Sequence, residues 1–271
     1  MAKYSLVIGI NDYPGTGSDL SGCVNDANDW AAELQRRGFD TVGLIDEVAT
    51  KANIVRAMGD LVQQLEYRDV GVITFSGHGT WYPDQDGDEK DRRDEAICPH
   101  DIFRGHPILD DELFEIFSQR THGARLVFIS DSCHSGTLQR FASPLQEDLR
   151  KVRFLPPLAW LDEDEYETRL AMEYASQAAP RGRPRKTALV LAGCKDTEYS
   201  YDAWFGGRPN GAFTYVALAA LKKLPAEATF AEWHRQIRAM LPSMDYPQTP
   251  QLDGTTAQKR WPLLESSIEG D

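Results

Sequence analysis

The 271-residue sequence predicts an α/β fold with a mostly parallel central sheet flanked by helices. Three observations carry that prediction. Short apolar runs alternate with stretches at helical spacing, as a parallel sheet requires. Two of the runs pass directly into glycine-rich polar turns, the place where open α/β sheets bind ligands. No internal repeat is visible, and no stretch approaches the roughly 18–20 apolar residues of a membrane span.

Taken in order, Lys3–Ile10 reads as a short buried strand and Asp26–Arg37 as a helix closed by Gly38. Thr41–Ile45 is a second strand. Thr50–Glu66 carries Ile54, Val55, Met58, Leu61, Val62 and Leu65 at helical spacing. Val70–Phe75 is a strand that runs into Ser76-Gly77-His78-Gly79, and Asp110–Gln119 is a helix. Ala124–Ser130 is a strand that runs into Asp131-Ser132-Cys133-His134-Ser135-Gly136. Residues 137–186 then break the pattern with prolines, an acidic patch at Asp162–Glu167 and a basic run at Arg181–Lys186. Regularity returns with a strand at Thr187–Ala192 and helices at Ala212–Lys223 and Phe230–Leu241. The core thus falls into two blocks, 1–136 and 187–255, joined by an irregular segment of about fifty residues; loops of that length are usually functional or mobile.

Composition narrows the function. Hydrophobic residues make up 41% and charged residues 26% of the chain, ordinary values for a soluble domain. The formal net charge of −13 argues against nucleic-acid and anionic-membrane partners, which call for Lys/Arg-rich faces, and suits a cationic substrate. The opening MAKYSLVIGIND is too short in its apolar run for a signal peptide, so the expected compartment is the cytoplasm. Cys23, Cys98, Cys133 and Cys194 lie far apart without a CxxC pair, which argues against a zinc site or a disulfide framework.

The chemistry-bearing residues sit at two strand ends. His78 and Cys133 each follow an apolar strand and each is near glycine, so the two side chains can face one another across a crevice. A thiol with a histidine beside it is the minimum for nucleophilic catalysis. A loop histidine without a role and a buried apolar cysteine are the alternatives that the residues alone leave open. Asp131 lies two before Cys133, so in extended backbone both side chains point to one side, and its carboxylate can pair with a cationic substrate. The rival roles are structural: a helix or turn cap for Asp131, an N-cap for Asp26.

The His and Cys blocks resemble those of metacaspases, the caspase-like peptidases of bacteria, plants, fungi and protists. Further blocks match in order: Gly22-Cys23-Val24-Asn25-Asp26-Ala27, the run from Asp94 to Asp101, Asp110-Asp111-Glu112-Leu113, Gly193-Cys194-Lys195-Asp196 and Gly211 to Tyr215. The resemblance spans roughly residues 3–255 and implies a caspase–haemoglobinase fold forming a single peptidase domain over 1–271. Its parts would be a p20-like region at 1–136, a variable linker at 137–186 and a p10-like region at 187–271. It implies a Cys133–His78 dyad, cleavage after Arg or Lys, and an S1 pocket at Asp26 and Asp131 with Cys23 and Ser76 nearby. Backbone N–H groups of Gly79 and Cys133 are the expected oxyanion donors.

No cofactor is required by this reading. Calcium, which many metacaspases need, would fall on Asp94, Asp110 and Asp111. A further acidic ligand expected after the Cys is matched here by Arg140, which puts strong calcium activation in doubt. Asp84 to Glu95 nearly spells an EF-hand loop, but Glu89 stands where glycine is needed, so a solvated acidic loop competes with it. Arg140, Arg150, Lys151, Arg153, Arg181, Arg183, Arg185 and Lys186 suit the expected specificity, which makes residues 137–186 a candidate processing segment, cut by the enzyme itself or by an upstream protease; a plain solvated linker is the alternative. The expected partners are protein or peptide substrates, and the expected state is a monomer. Three other functions were weighed. A phosphatase needs C-x5-R, whereas Cys133 and Arg140 are one residue too far apart; a non-catalytic caspase-like interaction module usually lacks the Cys or His; peptide ligation shares the acyl-enzyme.

Overall fold

A computed structural model describes residues 1–83, 93–133, 150–175, 187–225 and 227–265. In chain order the elements are β1 (Lys3–Gly9), α1 (Cys23–Arg36), β2 (Asp40–Ile45), α2 (Lys51–Gln64), β3 (Val70–Ser76), β4 (Gly79–Pro83), β5 (Arg93–Ile97), β6 (Ile108–Leu109), α3 (Asp110–Ser118), β7 (Arg125–Asp131) and β8 (Arg150–Val152). They continue with α4 (Glu163–Ala175), β9 (Leu189–Ala192), β10 (Tyr201–Phe205), β11 (Arg208–Gly211), α5 (Ala212–Leu221), α6 (Phe230–Arg238), β12 (Gln251–Asp253) and α7 (Thr256–Lys259).

The apolar runs become the interior of a six-stranded sheet ordered β12-β9-β7-β3-β1-β2. Its strands are parallel except for the antiparallel edge strand β12. Every residue of β3 and β7 is buried, as central parallel strands covered on both faces must be. One face packs on α2 and α3 through Ile54, Met58, Leu61, Leu113 and Phe117. The other packs on α1, α5 and α6, where Trp30 meets Trp233 edge-on at 6.0 Å. Because β9 pairs onto β7 and β12 onto β9, the two sequence blocks share one sheet.

Local signals account for the helix starts. Thr50 caps α2, its hydroxyl accepting from Asn53 N at 3.3 Å. Helix α1 begins at Cys23, whose N–H is met by the side chain of Asn11 at 2.8 Å. Asp26 therefore lies inside the first turn and is not the N-cap, which frees its carboxylate for other work.

The segment 137–186 departs from the irregular linker that the sequence suggests. Its described part holds strand β8 and helix α4. Two three-stranded sheets, β11-β10-β8 and β4-β5-β6, were also not anticipated. Among the described residues no helix is long and apolar enough to cross a membrane.

Candidate active site

The register of the sheet sets the site. Ser76 pairs with Asp131 across β3 and β7, so His78 and Cys133 each lie two residues beyond paired strand ends. Gly77 between them is small because of close approach: a Cβ there would come within 2.5 Å of the Tyr13 hydroxyl. That hydroxyl accepts from His78 N at 2.8 Å, and the Tyr13 and His78 rings lie 4.7 Å apart.

His78 Nε2 lies 2.6 Å from the carbonyl oxygen of Ser18. A carbonyl can only accept, so Nε2 carries the proton and Nδ1 of the neutral ring holds the lone pair. Nδ1 has no hydrogen-bond partner. Burial pulls the His78 pKa down to about 4, with the Ser18 carbonyl opposing and the Arg153 charge assisting. The ring is therefore an unprotonated base at neutral pH. Cys133 is fully buried against Trp81, Phe154 and Cys194, and its thiol reaches toward the Ser200 carbonyl at 4.0 Å.

Beside this cleft lies a pocket lined with charge. Asp26 receives Gly211 N at 3.0 Å, Asn210 Nδ2 at 2.9 Å and the Ser76 hydroxyl at 2.6 Å. Asp131 receives Thr214 N at 2.9 Å and the Thr214 hydroxyl at 2.7 Å, in the first turn of α5. The Asp131 carboxylate thus meets the first turn of α5 and also pairs with Arg153. Gly211 leaves the pocket open, since a Cβ there would collide with Asp131 Oδ2 and lie 2.5 Å from Arg153 Nη1. Burial raises the Asp26 pKa to about 6, opposed by Arg153. Cys23 sits among the same charges, its thiol pKa raised by burial.

The pocket is filled by Arg153 from the segment after β8. Its guanidinium bonds Asp26 at 2.6 Å, Asp202 at 3.0 Å, Asp131 at 3.2 Å and the Ser76 hydroxyl at 2.7 Å. Burial disfavours its charge, and the carboxylates overturn that, so Arg153 stays protonated. Its backbone carbonyl accepts Gly79 N at 3.0 Å and Cys133 N at 3.3 Å. These are the two N–H groups that the sequence points to as oxyanion donors.

The structure thus brings Asp26, Asp131, Cys23, Ser76, Gly79, His78 and Cys133 into one region. Of the candidate processing residues, Arg153 lies in the pocket while Arg150 and Lys151 lie outside it on β8. Arg140, Arg181, Arg183, Arg185 and Lys186 fall outside the described residues, as does most of the EF-hand-like stretch (84–92). Asp94 lies on β5, and Asp110 and Asp111 open α3. Among the described residues no group of three or more His, Cys, Asp or Glu side chains is arranged to hold a metal ion. Sequence reasoning missed Tyr13, Ser18, Thr214 and Asp202. The one signal for Asp202 is an acid inside an aromatic run, Tyr201-Asp202-Ala203-Trp204-Phe205.

Comparison with known proteins places this geometry in context. The family profile described as metacaspase, peptidase C14 domain, matches residues 3–141. Metacaspase-1 of Cryptococcus neoformans var. neoformans serotype D is 33% identical over 93% of this chain, which spans 62% of that protein. Metacaspase-1B of Neosartorya fischeri is 32% identical over 96% of this chain and 70% of that protein. The crystal structure of protein GSU0716 from Geobacter sulfurreducens superposes with a TM-score of 0.75 at 27% identity, covering 98% of this chain and 99% of that one.

Proposed function

The chain belongs to the metacaspase family, peptidase C14, and from that premise we propose that it is a cysteine endopeptidase cutting after Arg or Lys through Cys133 and His78. The observation that carries this reading is Arg153. Its side chain fills a pocket of three carboxylates while its carbonyl accepts from Gly79 and Cys133. That combination is what a P1 residue poised for attack would present.

The chemistry follows from the groups at hand. The Cys133 thiol gives its proton to His78 Nδ1, and the thiolate attacks the scissile carbonyl. Gly79 N–H and Cys133 N–H take the developing oxyanion. His78 then protonates the leaving amine, and water releases the acyl-enzyme. The Ser18 carbonyl holds the imidazole in the tautomer this requires, while the Tyr13 hydroxyl holds the His78 backbone N–H.

The same arrangement supports control by processing. While residues 150–155 occupy the cleft, a substrate cannot enter, so the chain is held in check until cleavage after Arg153, or at another basic residue of 137–186, lets the segment leave. The cut is made by the enzyme itself or by an upstream protease. The proposal includes a monomeric cytoplasmic enzyme. Calcium activation is a separate proposal that rests on the resemblance alone, and no step above uses it; unchanged cleavage in excess chelator removes it.

A peptide library varied at P1 tests the whole reading. Arg and Lys peptides should be cut by wild type, Asp peptides should not, and Cys133→Ala should cut none. Cleavage by Cys133→Ala, or a preference for another P1, overturns it.

A further inference from the structure

The segment in the cleft also carries information upstream of Arg153. Strand β8 lies antiparallel on β10, with Tyr201 opposite Val152, Asp202 opposite Lys151 and Ala203 opposite Arg150. Arg153 N donates to the Ser200 carbonyl at 2.9 Å, which continues the ladder to the residue in the pocket. The other edge of β10 is taken by β11. A peptide bound as Arg153 is bound would therefore be an added strand, with Val152, Lys151 and Arg150 at P2, P3 and P4.

At two of these positions the cation meets a backbone carbonyl. Lys151 Nζ donates to the Asp19 carbonyl at 2.7 Å, and Asp19 adjoins Ser18, whose carbonyl orients His78. Arg150 Nη1 donates to the Asp245 carbonyl. Tyr201 and Tyr246, with rings 6.2 Å apart, both feel the Arg150 charge. Carbonyl oxygens aimed at a cation accept Lys or Arg and repel a carboxylate. The net charge of −13 biases the surroundings the same way.

We propose that the enzyme reads a basic strand, not a single basic residue: its preferred substrates carry Lys or Arg at P3 and P4 as well as at P1, bound along the edge of β10 that β8 occupies here. This deepens the peptidase reading and rests on it. The Lys151 contact is exposed, so each upstream cation is worth roughly a two- to fivefold gain, and that gain fades with salt.

Fluorogenic tetrapeptides incubated with the full chain provide the test, using the sequences RKVR, AAVR, EEVR and RKVA. RKVR should exceed AAVR by about tenfold in kcat/KM at low ionic strength. EEVR should be slowest of the Arg peptides, and the spread should shrink at high salt. RKVA should stay intact. If RKVR and AAVR are cut equally, upstream reading is wrong while cleavage after Arg stands. If no Arg peptide is cut, the peptidase reading falls, and this inference with it. A second measurement needs no added peptide. Cleavage of the chain after Arg153, followed by intact mass, should slow severalfold in the Arg150→Ala, Lys151→Ala double variant; an unchanged rate overturns the proposal.

Discussion

The carboxylate pocket around Arg153 and the thiol cleft lie side by side beyond the same strand ends, yet their interiors differ in kind. In the pocket, Asp26, Asp131 and Asp202 are almost completely buried, and each is held by N–H or O–H donors besides Arg153. In the cleft, Cys133 packs among apolar side chains and His78 keeps a buried nitrogen without a partner. The pocket is committed to a cation by groups that the fold itself holds in place. In the cleft the Arg153 carbonyl already lies between the two N–H donors. On the proposed reading, specificity lies with the side whose groups are all paired, and reactivity with the side that keeps an unsatisfied nitrogen.

Removing the charge on the pocket side should have the largest effect. Arg153→Ala leaves three buried carboxylates without their cation, and breaking buried pairs costs about 3–5 kcal/mol. Thermal melting should then fall by roughly 10 °C. Cleavage after residue 153 should vanish, while added Arg peptides should be cut without a lag. Arg153→Lys should restore most of the stability. A melting point unchanged in Arg153→Ala would mean that the three carboxylates do not depend on that cation.

An intermediate effect should appear on the acid side of the pH profile, where the two regions separate. Asp26, raised to about 6, is protonated as pH falls through that value, so the pocket weakens and KM rises. His78, lowered to about 4, remains an unprotonated base down to that pH. The acid limb of kcat/KM should therefore lie near 6, and Asp26→Asn should move it toward 4 with a lower plateau. A limb that stays near 6 in that variant would assign it to another group. The stability slopes of the two groups oppose one another. The Asp26 contribution is present below its ordinary 3.8 and lost as pH rises through about 6. The His78 contribution is present above its ordinary 6.5 and lost as pH falls through about 4.

The smallest effect belongs to one hydrogen bond. Thr214→Val removes the hydroxyl donor to Asp131 but keeps the backbone one, at a cost of about 1–2 kcal/mol. KM for an Arg peptide should rise less than about tenfold with kcat unchanged. A collapse of kcat would show that Asp131 orients the Cys133 loop as well as the pocket.

These sites were unequally legible in the sequence. Strands β1, β3 and β7 announce themselves because central strands must be apolar on both faces, and their ends deliver His78, Cys133 and Asp131. Helix α2 was readable from its stripe and from Thr50. Strand β11 (RPNG) carries no apolar run to mark it, and β8 (RKV) falls in the segment that reads as a linker. Asp202 reaches the pocket from β10, far along the chain from Asp26 and Asp131, and no local spacing encodes that meeting. Arg153 was one basic residue among eight. What separates it from the others is its fit to three carboxylates and two N–H groups, which exists only once the fold has formed.

The strand on β10 has a kinetic consequence, because it is part of the same polypeptide as the thiol it covers. If the enzyme makes the proposed cut within its own chain, cleavage is a first-order event whose half-life does not change on dilution. A free substrate must compete with a tethered one, and tethers of moderate length supply effective concentrations on the order of millimolar. Before the first cut, then, abundance of substrate matters little. After it, residues 150–153 stay joined to the Cys133 block as a chain end whose carboxylate offers the thiol no bond to cut, and the molecule passes from a unimolecular clock to an enzyme that a free substrate can reach by displacing that end.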